Sequence, residues 1–320
     1  LEQLAVVMRD SKNVEGAKRL YEQLVTIEPH NHQYWHSLGV LLKDSGAGHV
    51  SKAMEAFQQS ITACPTFAVG YHSLAIIHYE QRNLAMAVEL FKKTVQLQPD
   101  YADAFNNMGN AFRDLGLHQE ALNSYSCTLQ IQKEHKDALS NLGNVYKDLG
   151  NFSHAKAYYE SALRVAPDFA AAHSNLATLL KESGFYAQAV WHYSKAIESD
   201  PSFVDAYASL GNTYRDAGQL DKAIVCYEAA VQLRPDFADA HANLGSALKD
   251  TGKVEDSIVA YRDALKTKPG CADAHCNMVH SRLFICDWQD DFHLDFARLK
   301  VLVKEQIDSG ATPSLQPFHA

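Results

Sequence analysis

Asparagine recurs along this chain at a fixed interval: Asn107, Asn141 and Asn175 stand 34 residues apart, and so do Asn243 and Asn277. A carboxamide both donates and accepts hydrogen bonds, so a row of them suits the N–H and C=O groups of an extended peptide without reading its side chains. Mid-helix Asn costs roughly half a kcal/mol against Ala, which gives the repetition weight. An acid follows on the same period at Asp114, Asp148, Asp216 and Asp250. Such a row would favour basic or hydroxyl-bearing side chains. Two plainer readings compete. Duplication can copy one ancestral Asn into every unit without a use for it, and the acids can be a solvated face paired with the adjacent base, as in Lys147-Asp148 or Arg215-Asp216.

Other chemistry finds little support. No Gly-rich phosphate loop, Ser-His-Asp set or supported carboxylate pair appears, so no catalytic residue is assigned. Six cysteines include no C-x-x-C pair, and Cys271, Cys276, His275 and His280 match no zinc spacing, so no metal is expected. A disulfide framework is not expected either, which fits a reducing compartment. With 38 acids against 29 bases and a net charge of -9, the chain lacks the basic excess that nucleic acid or an anionic membrane demands. No run approaches the ~20 apolar residues of a membrane span. The opening Leu1-Glu2-Gln3-Leu4 is neither an initiator methionine nor a signal sequence, and the chain reads as a piece of something longer.

The elements that must carry these rows are set by a second period. Pro29, Pro65, Pro99, Pro167, Pro201, Pro235 and Pro269 are separated by 36, 34, 68 and then three times 34 residues. Units start at His32, Ala68, Ala102, Lys136, Ala170, Val204 and Ala238, with a truncated unit over 1–31. Positions 4, 7, 8 and 11 of a unit fall on one helical face, as in Phe105-Met108-Gly109-Phe112 and Leu139-Leu142-Gly143-Tyr146. Position 8 stays small where two helices cross, as does position 20 (Ala121, Ala155, Ala223), while position 24 is aromatic (Tyr125, Tyr159, Tyr227). Glycine at position 15 ends the first helix and proline at position 32 follows the second. This is the 34-residue helix-turn-helix of the tetratricopeptide repeat. The expected fold is all-α: a right-handed α-solenoid superhelix, its first helices on the concave side. Positions 6, 9 and 13 form the inward face, and position 6 holds the Asn row, interrupted by Ser37, Ser73 and Ser209. His173, His241 and His275 take the aromatic slot at position 4 as packing residues, and Trp191 is a candidate contact on the convex side.

Eight repeats are expected over 1–271, with an incomplete ninth repeat and a transition helix over 272–310. Val279 and Arg282 replace the small and apolar residues at positions 8 and 11 of the ninth unit. A following stripe of Phe292, Phe296, Leu299, Val303 and Ile307 predicts a capping helix. Residues 311–320 then begin a linker.

Cys286-Asp287-Trp288 ahead of that helix, the run DFAAAHSNLATLL and the unit from Phe237 to Met278 resemble the O-linked N-acetylglucosamine (O-GlcNAc) transferase family. Residues 313–319 also resemble the family's approach to its catalytic region, with Phe318 where a second His is usual. The resemblance implies a parent glycosyltransferase that moves N-acetylglucosamine from UDP-GlcNAc onto Ser or Thr of nuclear and cytosolic proteins. It implies that the Asn and Asp rows hold extended acceptor segments, and that 281–310 meets a catalytic domain beyond the chain. This stretch itself would hold no cofactor. Two alternatives stay open: a stand-alone tetratricopeptide scaffold and the arm of a related protein O-fucosyltransferase. A carboxylate-clamping adaptor is disfavoured, because position 5 reads His36, His72, Asn106, Ser140, Ser174, Ala208 and Ala242 rather than basic residues.

Overall fold

The computed structural model describes residues 1–11, 13–287 and 292–310. Trp288 and the 311–320 stretch lie outside them. Every regular element among the described residues is helical. The first helices of successive pairs are α1 (Glu2–Asp10), α3 (His32–Asp44), α5 (Ala68–Glu80), α7 (Ala102–Asp114), α9 (Lys136–Asp148), α11 (Ala170–Glu182), α13 (Val204–Asp216), α15 (Ala238–Asp250) and α17 (Ala272–Phe284). Their partners are α2 (Val14–Ile27), α4 (Val50–Ala63), α6 (Leu84–Leu97), α8 (His118–Ile131), α10 (Phe152–Val165), α12 (Tyr186–Ser199), α14 (Leu220–Leu233), α16 (Val254–Thr267) and α18 (Phe292–Asp308). The two extra residues of the unit from His32 fall in a short 3-10 turn at Ala47–His49.

The chain divides into two compact units, Leu1–Val165 and Ala166–Ala320. Inside each, a first helix packs on its partner and the partner packs on the next first helix. Neighbouring first helices also touch, as α5–α7 and α7–α9 do in one unit and α11–α13, α13–α15 and α15–α17 in the other. Second helices make no comparable contact. The first helices therefore form the tighter, inner layer of each unit.

Sequence punctuation explains the pairs. Gly116 and Gly150 take φ of 75° and 74°, and the N–H of the next residue bonds back to the helix, Leu117 to Phe112 O and Asn151 to Tyr146 O, at 2.9 and 2.8 Å. Arg82 and Cys286 take the same left-handed position without glycine, at φ 62° and 55°. Cys286 shows that the ninth first helix still ends in the manner of a repeat.

The core also contains what the 4-7-8-11 pattern did not single out. Positions 3 and 10 are the more deeply buried: Ala104, Ala138, Ala172 and Ala206 at 0%, and Ala111, Val145, Thr213 and Ala247 at 0%. Phe105, Phe112 and Tyr146, at positions 4 and 11, are half-buried at the edge of these clusters. Small side chains at position 3 let the preceding second helix approach.

α18 departs from its expected stripe. Phe292, Leu299, Leu302 and Val303 are buried, while Phe296 and Ile307 are 39% and 58% exposed. Among the described residues the helix packs on α17 through Cys276, Val279, Phe292, Leu299 and Val303, a narrower seam than the expected stripe. Arg282, which takes an apolar position of the ninth unit, is fully buried, with Nη1 2.6 Å from Asp295 Oδ2 and Nε 3.0 Å from Asp287 Oδ2, against the ring of Phe292.

Candidate functional site

All five asparagines of the row sit on first helices with half-buried side chains. None is sealed in a core. Most are engaged, each in a different way. Asn107 Nδ2 lies 3.1 Å from His72 Nε2, and that ring is held on its other side by Tyr101 Oη at 3.2 Å. Asn141 Nδ2 donates to Asn106 Oδ1 at 3.1 Å and Asn110 Oδ1 at 3.0 Å, bridging α9 to α7. Asn243 Oδ1 accepts from Arg215 Nη1 at 3.1 Å, and Asn277 Oδ1 from Lys249 Nζ at 3.4 Å. Asn175 also has a partner. Among the described residues nothing occupies Oδ1 of Asn107 and Asn141 or Nδ2 of Asn243 and Asn277. The first unit thus offers acceptors from this row, and the second offers donors.

Position 9, expected on the same inward face, serves the fold instead. Asn110, Asn144 and Asn212 each accept the hydroxyl of the buried tyrosine 15 residues later, Tyr125, Tyr159 and Tyr227, at 2.7 Å. Thr178 meets Tyr193 Oη at 2.8 Å, and Ser246 accepts from Tyr261 at 3.1 Å. A buried hydroxyl without a partner is costly, and these side chains remove the cost. Burial pushes the Tyr227 phenol up to about 12 and moves the Tyr125 phenol upward as well. A signal was present in the sequence, since Gly-Asn at positions 8–9 accompanies Tyr at 24 in three units.

The acids divide. Asp114 accepts Tyr79 Oη at 2.9 Å and Arg82 Nη1 at 2.8 Å, both from the preceding repeat. Asp216 lies 3.0 Å from Lys181 Nζ. Asp148 and Asp250 are exposed and form no ion pair among the described residues. Pairing within the adjacent dipeptide is weak: Arg113–Asp114 and Arg215–Asp216 are at 3.6 and 3.9 Å, and Lys147–Asp148 forms no pair. Position 12 bases reach instead across to the next repeat, as Lys43 to Glu80 at 2.8 Å does in the first unit.

The histidines pack. His173 is buried, with Nε2 3.0 Å from Pro167 O and Nδ1 2.9 Å from His192 Nδ1. His241 Nε2 lies 3.0 Å from Pro235 O. His275 is buried near Asp295, which lies 4.0 Å away, and burial lowers its pKa. Trp191 is 54% exposed and stands edge-on to His173 and His192. All six cysteines are free, and burial pushes the Cys226 thiol up to about 11.

Tetratricopeptide-repeat family models match residues 72–126 and 140–202, 100–168, 192–225 and 238–271, and a model described as TPR repeat matches 211–252. Together they run from 72 to 271 without a gap. The crystal structure of the APC/C hetero-tetramer Cut9-Hcn1 aligns with a TM-score of 0.65 at 17% identity, over 87% of this chain and 54% of that one. The chain spans about half the length of that relative, and the likeness is one of fold. Two crystal structures of MamA align at 25% and 24% identity over 51% and 53% of this chain and 95% and 93% of theirs, both with a TM-score of 0.46. No curated protein matches the sequence. The chain is an all-helical tetratricopeptide-repeat solenoid, an architecture that serves as a protein–protein interaction scaffold. No helix among the described residues is long and apolar enough to cross a membrane.

Proposed function

We propose that this chain is the polypeptide-recruiting arm of a protein O-GlcNAc transferase, holding extended acceptor segments against the inner layer of first helices. The observation that carries the reading is the position 6 row. Asn107, Asn141, Asn243 and Asn277 are each half-buried, held on one side by the scaffold and left with one polar atom unengaged. Fixing a carboxamide before the ligand arrives lowers the ordering cost of binding. Asp148 and Asp250 stand exposed beside this row for a basic or hydroxyl-bearing side chain, while Asp114 and Asp216 are already occupied and contribute rigidity. The sugar chemistry rests on the Cys286-Asp287-Trp288 resemblance. Leu294, Phe296, Val301 and Ile307, exposed on α18 at 72%, 39%, 47% and 58%, support docking of a following catalytic domain there.

The test has two parts. Asn175→Ala with Asn243→Ala should weaken binding of extended peptides about thirtyfold with helicity retained, since each lost hydrogen bond is worth roughly 1 kcal/mol. Unchanged binding returns the row to a duplication relic. A longer protein carrying this chain should transfer N-acetylglucosamine from UDP-GlcNAc to Ser or Thr. Transfer only from GDP-fucose would assign the arm to the fucose enzymes, and no downstream sugar-nucleotide domain would leave a scaffold alone.

A further inference from the structure

We infer that Lys249, seconded by Arg215, reads acidic side chains of the bound segment, so the acceptors this face prefers carry carboxylates. The inference rests on the main-chain grip proposed above and adds a specificity to it.

Position 12 cations of the second unit reach toward the next repeat. Lys181 reaches the carboxylate at position 13 of the next repeat, Asp216, at 3.0 Å. Lys249 has no such partner, because position 13 of the ninth unit is Phe284, which is 79% exposed. Its ammonium settles on the neutral carboxamide oxygen of Asn277 at a long 3.4 Å. Arg215 likewise donates to a carboxamide one repeat earlier, Asn243 at 3.1 Å, with its Nε only loosely placed against Asp216 at 3.9 Å. A carboxylate adds charge–charge attraction to the hydrogen bond that a neutral carboxamide gives the same ammonium or guanidinium. An incoming Glu or Asp therefore displaces the carboxamide from the cation. The freed Asn oxygen becomes available to a main-chain N–H, so charge reading and main-chain gripping are one exchange.

Room for this exists. Lys249 lines a cavity of about 550 Å³ whose other walls include Val254, His280, Leu283 and Phe284. Asp250 lines it too and opposes an acid there, which sets a direction for a test. Packed helices lie about 10 Å apart and an extended chain advances about 3.3 Å per residue, so the two cations match acids about three residues apart.

The experiment uses fluorescence anisotropy on the 320-residue chain with three labelled peptides: a neutral one of Ser, Thr, Val and Pro, the same with two Glu three residues apart, and the same with two Lys. The Glu peptide is expected to bind roughly fivefold more tightly than the neutral one, with the gain shrinking as salt rises. Lys249→Met with Arg215→Met should abolish the gain, read as the ratio of Glu-peptide to neutral-peptide affinity, since losing the hold on Asn243 and Asn277 also weakens the neutral peptide. Phe284→Glu should abolish most of it by supplying the missing internal acid, at an exposed site where folding is not at stake. Asp250→Asn should enlarge it. A Glu peptide that binds no tighter than the neutral one overturns the inference, as does a preference that survives both Lys249→Met with Arg215→Met and Phe284→Glu. Neutral-peptide binding indifferent to Asn243→Ala with Asn277→Ala defeats the main-chain grip instead, so the two failures are separable.

Discussion

Gly143 sits where α9 crosses α10, and Gly143→Ala measures how tightly that crossing is specified. A Cβ there would stand 2.5, 2.6 and 3.0 Å from Cε1, Cδ1 and Cζ of Tyr159. Relaxed carbon contacts lie at about 3.5–4.0 Å. The ring cannot retreat freely, since it is 0% exposed and its hydroxyl is tied to Asn144 at 2.7 Å. Overpacking costs about 1–3 kcal/mol, and so short an approach belongs in the upper half of that range. Ala regains about 1 kcal/mol of helix propensity over Gly. The net expectation is a loss of about 1–2 kcal/mol. The chain carries its own control in Ala177, which is followed by Thr178, whose hydroxyl meets Tyr193 at 2.8 Å. Adding Asn144→Thr to Gly143→Ala should therefore recover about half the loss by letting the ring shift. Urea unfolding followed by circular dichroism reads both variants. A higher midpoint for Gly143→Ala would refute the reasoning, because propensity alone would then decide the outcome and the ring would be free to move.

Two further outcomes follow from buried polar groups. Burial lowers His36 to about 4 from its ordinary 6.5, helped by the nearby His32 and His72 charges. The fold thus favours the neutral ring: this stability is complete above pH ~6.5 and is lost as pH falls toward 4, on the order of 2–3 kcal/mol. Replacing His36 with Gln should flatten the stability difference between pH 7 and pH 4.5, and an equal slope in both proteins would contradict this. Arg282→Met removes a buried guanidinium from Asp287 and Asp295, which keep 17% and 20% exposure, so a cost of about 2 kcal/mol is expected at the α17–α18 seam. Faster amide exchange confined to α17 and α18 is the readout; uniform protection would show that the apolar seam suffices.

The architecture was legible because a repeat writes each constraint many times. Small residues at 8 and 20, an aromatic at 24 and a turn at 15 all follow from two helices crossing at close range. The candidate site was legible only as a row. Which atom of each Asn remains available depends on a partner about 28–35 residues away, such as Arg215 for Asn243 or His72 for Asn107, and sequence spacing carries no side-chain direction across helices. Asn110 and Asn144, at position 9 of the expected inward face, instead accept the hydroxyls of tyrosines 15 residues later, a pairing that helical spacing within one helix does not reveal. Position 12 bases looked paired with the neighbouring acid, but adjacent helical residues point about 100° apart, and the next helix offers the nearer oxygen. For α18 helical spacing marked the apolar stripe but not which part of it meets α17: Phe296 and Ile307 lie off the seam.

Main-chain recognition by the first-helix face is tested most directly by changing the peptide backbone alone. A neutral extended peptide in which alternate amides are replaced by esters keeps its side chains and loses N–H donors. It should bind this chain about tenfold more weakly, while a scrambled all-amide peptide of the same composition should bind as well as the parent. Full affinity of the ester peptide together with loss on scrambling would mean that side chains, not the backbone, are what this face holds.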